Sequence, residues 1–343
     1  MQSRKLHQSL LFALASLALL GCERCQTTPT PQCNPACDEG FVCDGERNRC
    51  VAVQLPRFKG RVSGRAARIT LADRRPVVAV IHPEESLVLT GFVDEDPTSF
   101  EILSQNLRAG TRRLGLAAGG GKLAIAWIDA QGFYQIASRD LTGEPVWTVT
   151  LARVELTDAT EPIYQATDDF DMAIDARGEI SLLFRDRNTR ALHRLANKDG
   201  EEAWTLTLVD DGSSAGVEEC PDEVRQAHRE GLGVEPDLLF EQDTLLVAYH
   251  DADCGDLRLA RLGASGRWLI SVLDRGDLDG AVASHITGRF PSLAIDPLGR
   301  PTLSYQDLSR GRLVYGVLDG ENYTSEVVDP SLGIARKTQR PKK

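Results

Sequence analysis

A β-propeller, a ring of similar four-stranded antiparallel sheets, is the fold class this sequence predicts, and three observations predict it. The first is an internal repeat. The segment Phe170-Asp-Met-Ala-Ile174-Asp175-Ala-Arg-Gly178 and the segment Pro291-Ser-Leu-Ala-Ile295-Asp296-Pro-Leu-Gly299 share the frame Ala-Ile-Asp-x-x-Gly. A second Asp, Asp186 or Asp307, follows the first by eleven residues. Weaker copies run from Ala67 to His82, Leu114 to Asp129 and Pro236 to Asp251, so five units are visible. The second observation is a spaced aromatic: Phe100, Trp147, Trp204, Trp268 and Tyr323 stand 18, 18, 18, 17 and 16 residues after His82, Asp129, Asp186, Asp251 and Asp307. The third is alternation, as in Trp147-Thr-Val-Thr-Leu151 and Trp204-Thr-Leu-Thr-Leu208, which has the period of two that strands require. An antiparallel sandwich also yields short strands with Gly and Asp turns, but it gives no reason for aromatics at constant distance from an Asp. The expected fold is therefore all-β and five-bladed, with six blades as the alternative count. Residues 51–66 add either an edge strand or a linker.

The elements of one unit follow in order. The first run ends at an Asp and a Gly turn, the second ends at the second Asp, the third alternates (Tyr134 to Ser138, Ala191 to Leu195, Leu257 to Arg261, Leu313 to Val317), and the aromatic opens the fourth. Gly119-Gly120-Gly121 takes the place of the Gly178 turn in the second unit. In a blade the first strand lines the channel and the fourth lies at the rim. The Gly turns then share one face, and the second Asp of each unit shares the other with the links between blades.

The long links, Thr157 to Asp169, Asp210 to Glu235 and Asp274 to Phe290, belong to that second face. Loops on a rigid scaffold commonly carry binding residues. Asp168, Asp169, Asp186, Asp251, Asp253, Asp256 and Asp307 are accordingly the candidate binding groups, against the plainer role of capping turns. Cys220 in the longest link and Cys254 in a turn of the same face are expected to form a disulfide that staples the insertion.

The chain begins with Arg4 and Lys5, an eleven-residue apolar run from Leu10 to Leu20, then Gly21 and Cys22. The run is about half the ~20 residues a membrane-spanning helix needs, so residues 1–21 read as a leader. Leu19-Leu20-Gly21-Cys22 resembles the lipobox of bacterial lipoproteins. That resemblance implies diacylglycerol on the Cys22 thiol, cleavage before it, and a mature chain held at the membrane by its acyl chains. Glu23 at the following position implies the outer membrane of a Gram-negative cell envelope. Loss of the leader removes two basic residues and takes the formal charge from −11 to −13. Such a surface repels phosphate-rich partners, which excludes nucleic acid, while the basic tail at 336–343 reads as a solvated terminus.

Residues 22–55 are cysteine-dense, with Cys25, a Thr/Pro spacer, and then Cys33, Cys37, Cys43 and Cys50. In an oxidising compartment four Cys in so short a piece read as two crosslinks, of which three pairings exist. Zinc, the competing reading, favours duplicated close Cys pairs. Cys33-Asn-Pro-Ala-Cys37-Asp-Glu-Gly40-Phe-Val-Cys43 is loosely similar to epidermal-growth-factor-like modules, over about 20 residues. The domain plan is a leader at 1–21, a lipid site and Cys-rich module at 22–55, a propeller at 56–335 and a tail at 336–343.

Catalytic patterns are sparse. The sequence has no His-Glu-x-x-His, no Gly-x-Ser-x-Gly and no phosphate-binding Gly-rich loop. His82, His193, His228, His250 and His285 have no ligand spacing, and the sialidase Asp-box Ser-x-Asp-x-Gly-x-x-Trp is absent, since Ile295-Asp296-Pro-Leu-Gly299 keeps only its Asp and Gly. Asp274-Arg-Gly-Asp277-Leu-Asp279-Gly280 has half the look of a calcium loop but lacks its first ligand and distal Glu, so no metal site is assigned and solvated acids are the expectation, with calcium the alternative. The expected function is an envelope-tethered, non-catalytic propeller that binds a protein or glycan through its insertion-bearing face. The alternative is a propeller glycoside hydrolase acting on surface polysaccharide through paired carboxylates. Replacing Cys22 by Ser should abolish incorporation of labelled palmitate and move the protein from the membrane to the soluble fraction.

Overall fold

The computed structural model describes residues 41–44, 49–52, 65–82, 87–93, 100–104, 107–108, 110–142, 146–152, 164–197, 204–213, 231–279 and 282–329. The leader, Cys22, Cys25, Cys33, Cys37, Cys220 and the basic tail lie outside them. Among the described residues there is no helix, and therefore none long and apolar enough to cross a membrane.

The repeat folds as five four-stranded antiparallel blades, each built from four consecutive strands. Blade one comprises β3 (Arg65–Ala72), β4 (Arg75–His82), β5 (Leu87–Phe92) and β6 (Glu101–Ser104); blade two comprises β7 (Gly115–Gly119), β8 (Lys122–Ile128), β9 (Tyr134–Asp140) and β10 (Thr148–Leu151). Blade three runs through β11 (Phe170–Ile174), β12 (Ile180–Arg185), β13 (Leu192–Asn197) and β14 (Thr205–Asp210). Blade four holds β15 (Val234–Glu241), β16 (Thr244–Asp251), β17 (Asp256–Leu262) and β18 (Trp268–Asp274). After a small hairpin of β19 (Asp277–Asp279) and β20 (Val282–His285), blade five closes the series with β21 (Arg289–Ile295), β22 (Pro301–Asp307), β23 (Arg312–Asp319) and β24 (Asn322–Asp329). Inner strands pack side by side in chain order, β3 on β7, β7 on β11, β11 on β15 and β15 on β21.

The Cys-rich segment contributes a hairpin, β1 (Phe41–Asp44) and β2 (Arg49–Ala52), whose register sets Cys43 directly opposite Cys50. Strand β2 pairs with β10, Thr148 opposite Val51, so the hairpin extends the rim of blade two to a six-stranded sheet. Backbone pairing thus crosses the boundary drawn at residue 55. Residues 49–52 reach blade two, and among the described residues no strand from the N-terminal side joins blade five, which owns its four strands.

Turn chemistry follows the sequence. Asp175 Oδ1 accepts from the backbone N–H of Arg177 at 2.9 Å and of Glu179 at 2.7 Å, and Asp296 Oδ1 does the same for Leu298 at 2.9 Å and Arg300 at 2.8 Å. Gly120 and Gly121 of the corresponding blade-two turn both have positive φ, 53° and 74°, as a two-residue hairpin turn of mirror-image type needs. A Cβ at Gly120 would stand 2.4 Å from the Gly178 nitrogen, so glycine there also lets the turns of blades two and three touch.

The recurring aromatics explain themselves at the interfaces. Trp147 packs with Ala72, Val77, Ile81 and Leu103 of blade one; Trp204 packs with Ala124, Tyr134 and Ile136 of blade two. Trp268 joins the core that blades three and four share, and Tyr323 the core of blades four and five. Each aromatic faces the preceding blade and wedges the pair together. Phe100, the equivalent residue of blade one, clusters only with Val80, Leu89, Val78 and Ile102 of its own sheet. Five blades therefore share four cores among the described residues. On the outer flank of blade one Ile69 and Leu71 are 67 % and 65 % exposed.

Between blades three and four the apolar core encloses a charged latch. Arg258 lies between Asp210 at 3.0 Å and Asp251 at 2.7 Å, all three fully buried, and the Tyr249 hydroxyl donates to Asp210 at 2.6 Å. Blades four and five repeat the theme without the arginine: Tyr305 donates to Asp274 at 2.8 Å. Removing one member of a buried ion network leaves charges without a partner, at a cost of about 3–5 kcal/mol. Arg258→Ala should lose a free energy of that order in urea unfolding, and Arg258→Met, with Asp210 and Asp251 changed to Asn and Leu, should recover part of it.

Candidate functional site

The described inner strands carry one equivalent residue from every blade, and several of these meet around the axis. Arg68, Gly115, Asp171, Asp237 and Ser292 occupy the same register position, each opposite the residue three before its unit's terminal Asp or His. In blades one, four and five a register shift lies just ahead of that position, and such bulges re-aim the side chain that follows.

Opposite charges meet there. Arg68 Nη2 lies 4.0 Å from Asp171 Oδ1 and its Nε donates to the Leu114 carbonyl at 3.1 Å. Arg113 crosses to the Pro236 carbonyl at 2.8 Å. Burial lowers the Arg113 pKa, and the carboxylates of Asp171, Asp237 and Asp169 oppose that fall. Asp237 stands within hydrogen-bonding reach of Asp171. Burial first, and the Asp171 charge second, hold the Asp237 carboxyl well above the ordinary carboxylate range, against the Leu293 N–H that donates to it at 2.5 Å. A carboxylate beside a buried carboxyl disfavours its ionisation, so Asp237 is biased toward its protonated form.

Beside the channel, on the face of the links, a cavity of about 420 Å³ is lined by Arg108, Thr111, the stretch 166–169, and Arg185, Arg187 and Arg190. These come from the β6–β7 link, the β10–β11 link and the β12–β13 turn, which places links and second turns on one face as the repeat implied. Asp169 joins channel to cavity. Its Oδ2 accepts from Arg185 Nε at 3.0 Å and Nη2 at 2.7 Å, and its Oδ1 from the Glu235 N–H at 3.4 Å. Tyr134 supports the wall, donating to the Thr167 carbonyl at 2.9 Å, and burial pushes its hydroxyl pKa far up so that it stays a donor.

The acids nominated from sequence sit on the same face but are largely enclosed. Asp186 Oδ1 accepts from Gln165 N at 2.8 Å and Asn188 N at 3.3 Å; Asp253 Oδ1 accepts from Gly231 N at 2.9 Å; Asp307 Oδ1 accepts from Arg310 N at 2.9 Å and its Oδ2 pairs with Arg312 at 2.5 Å. Asp251 is in the buried latch, and Asp256 accepts from Gly276 N at 2.8 Å. Of the nominated set, Asp168 and Asp169 line the cavity. The channel residues Arg68, Arg113, Asp171 and Asp237 and the cavity arginines were not nominated. Their signal was present in the repeat, since the second residue of each copy, Arg68, Gly115, Asp171, Asp237 or Ser292, falls on the inner strand.

Asp251, Cys254 and Asp256 bring three ligand atoms within 4.8 Å of one another. Cys254 is disulfide-bonded, and its expected partner Cys220 lies outside the described residues. With the sulfur so engaged and Asp251 neutralised by Arg258, the trio does not offer a cation a free ligand set. Asp274, in the stretch read as half a calcium loop, accepts from Thr287 and Tyr305, both at 2.8 Å.

Fold and channel together define a β-propeller protein with a charged axis and an arginine-rich cavity on its link face. No family model matches the chain, and no curated protein matches it in sequence. Among solved structures it is similar to the SapL1 lectin in complex with alpha methyl fucoside, at 9 % identity and TM-score 0.47 over 78 % of this chain and 81 % of that one. A Hadza microbial sialidase gives 14 % and 0.46 over 77 % and 58 %, and a subtype N10 neuraminidase-like protein of A/little yellow-shouldered bat/Guatemala gives 10 % and 0.48 over 81 % and 85 %. The chain spans 55 % of AofleA from Arthrobotrys oligospora. Nothing about ligand, reaction or partner passes from them to this chain.

Two buried groups beside the latch give the fold a readable pH response. Burial, aided by the Arg289 charge, depresses the His250 pKa to about 4, so the folded state binds fewer protons than the unfolded one between there and 6.5. Stability from this group is intact above pH 6.5 and is lost as pH falls toward 4. Burial raises the Asp256 pKa to about 6, so its contribution has the opposite sign and falls as pH rises from 3.8 to 6. Denaturant unfolding at pH 4.5 and 7 should show His250→Asn relatively more stable than the parent at the lower pH. Asp256→Asn should be relatively more stable at the higher.

Proposed function

We propose that this chain is a lipid-tethered envelope protein whose propeller binds a glycan at the cavity on its insertion-bearing face, without cleaving it. The tether is the acylated Cys22 and the expected site is the outer membrane. The cavity carries the reading: about 420 Å³ is room for one or two sugar units, and its lining holds both guanidinium donors and carboxylate acceptors. Sugar hydroxyls need both. A membrane anchor and a net negative charge fit a partner at the cell surface, not nucleic acid. No cofactor enters this reading.

The hydrolase reading rests on one observation, Asp237 beside Asp171 with its pKa raised by burial and by the Asp171 charge. A carboxylic acid next to a carboxylate is the equipment of a glycosidase, but such pairs stand about 5 Å apart or more to admit the sugar or a water, and here the two are in contact. The pair is also braced from both sides by Arg68 and the Leu293 N–H. We read it as the axial tie between blades three, four and five. The lipidated protein in detergent, applied to immobilised bacterial surface polysaccharides, should be retained by one or more of them and release no new reducing ends. Reducing ends that appear with the parent and vanish with Asp237→Asn would transfer the assignment to the hydrolase.

A further inference from the structure

Within that glycan-binding reading, and resting on it, the geometry points to an acidic sugar as the ligand: we propose that the cavity holds the carboxylate of a uronic-acid residue between Arg187 and Arg190. In a chain of formal charge −11, four of the cavity's lining residues are arginines and only two are acids. The acids are not equivalent to the bases in availability. Asp169 is matched by the two-pronged contact with Arg185. Arg108 gives its Nη1 to the Ala166 carbonyl at 3.4 Å. Arg187 and Arg190 take part only through their main chains, Arg187 N donating to the Gln165 carbonyl and Arg190 N to that of Asp186, and among the described residues their guanidinium groups make no hydrogen bond or ion pair. Both side chains are exposed, at the lip of the cavity.

Their backbones are fixed even so. Arg190 has φ 60°, a conformation costly for its type, and it is enforced by the Leu232 N–H donating to the Arg190 carbonyl at 3.0 Å and by Gly231, where a Cβ would stand 2.6 Å from the Arg190 side chain. Asp186, through its bonds to Gln165 N and Asn188 N, holds Arg187 against the opposing link. The two unmatched guanidiniums are thus presented by a rigid turn, and the charge they lack is an anion. Planar guanidinium donors suit a carboxylate or a phosphate. Asp168 decides between them. It lines the same cavity with one oxygen lightly engaged, by the Arg112 N–H at 3.4 Å, and a dianionic phosphate beside it meets more repulsion than a monoanionic carboxylate. The same oxygens accept the hydroxyls that a sugar acid carries and a phosphate lacks.

The full lipidated chain in detergent micelles should be titrated calorimetrically with glucuronate, digalacturonate, glucose and inorganic phosphate. The expected result is saturable uronate binding at least about tenfold tighter than glucose at low salt, weakening as salt rises. Arg187→Gln and Arg190→Gln should each weaken uronate about tenfold, several times more than they weaken glucose, with the melting temperature unchanged, and Arg187→Lys should restore part of the uronate loss. Uronate no tighter than glucose, uronate binding untouched in both Gln variants, or phosphate binding tighter than uronate would each overturn the proposal. A neutral polysaccharide retained by the parent together with no saturable uronate binding would leave the glycan reading standing and remove the acidic sugar from it.

Discussion

Blades three and four are apolar on both faces, and that constraint organises the molecule. Side chains alternate across a strand, yet β12 and β16 are buried at almost every position in succession, so neither face of those sheets tolerates water. A sheet of this kind is stable only between two others. Trp147, Trp204, Trp268 and Tyr323, opening the fourth strands of blades two to five, join the cores shared with the preceding blade, and the Asp that ends β14 or β18 supplies polar register by accepting from a tyrosine of the next blade. Packing gives affinity between blades; the buried acceptor fixes which residue meets which. The latch of Arg258 between two aspartates is the extreme case, a charge taken out of water only because two opposite charges wait for it.

Most of the architecture was legible because it repeats. Trp147, Trp204, Trp268 and Tyr323 at near-constant spacing announced four interfaces of one kind, and the Asp and Gly of Ile174-Asp175 and Ile295-Asp296 announced the turns they indeed cap. The axis was less legible for a physical reason. A channel position is defined by all the blades at once: Arg68, Asp171 and Asp237 each stand second in their repeat copy, but only register and packing show that they meet. The cavity was hidden for a related reason: its arginines come from a link and a turn where no period operates, and only the fold brings Arg108 beside Arg187. The docking of the Cys-rich hairpin on β10 was unreadable as well, because an edge strand advertises free N–H and C=O groups but not their partner.

Electrostatics divides the site into a finished part and an unfinished one. Along the axis the described charges meet opposite ones, Arg113 against three carboxylates and Arg68 against Asp171. At the rim the counterparts run out at Arg187 and Arg190. A protein that neutralises charge so thoroughly in its interior and leaves two guanidiniums on a strained, well-braced turn has put its unspent binding energy at one address.

The shared apolar cores run in one series of four, and among the described residues the flank of blade one, with Ile69 and Leu71 in water, shares none with blade five. Cooperativity accordingly passes along that series, in which blades one and five each share a described core with one neighbour and melt out before the middle. Blade three and the link that precedes it, which supply most of the cavity wall, belong to the middle. Fraying at either extremity therefore leaves the ligand-facing architecture intact, and thermal robustness is graded along the arc with its maximum where recognition happens.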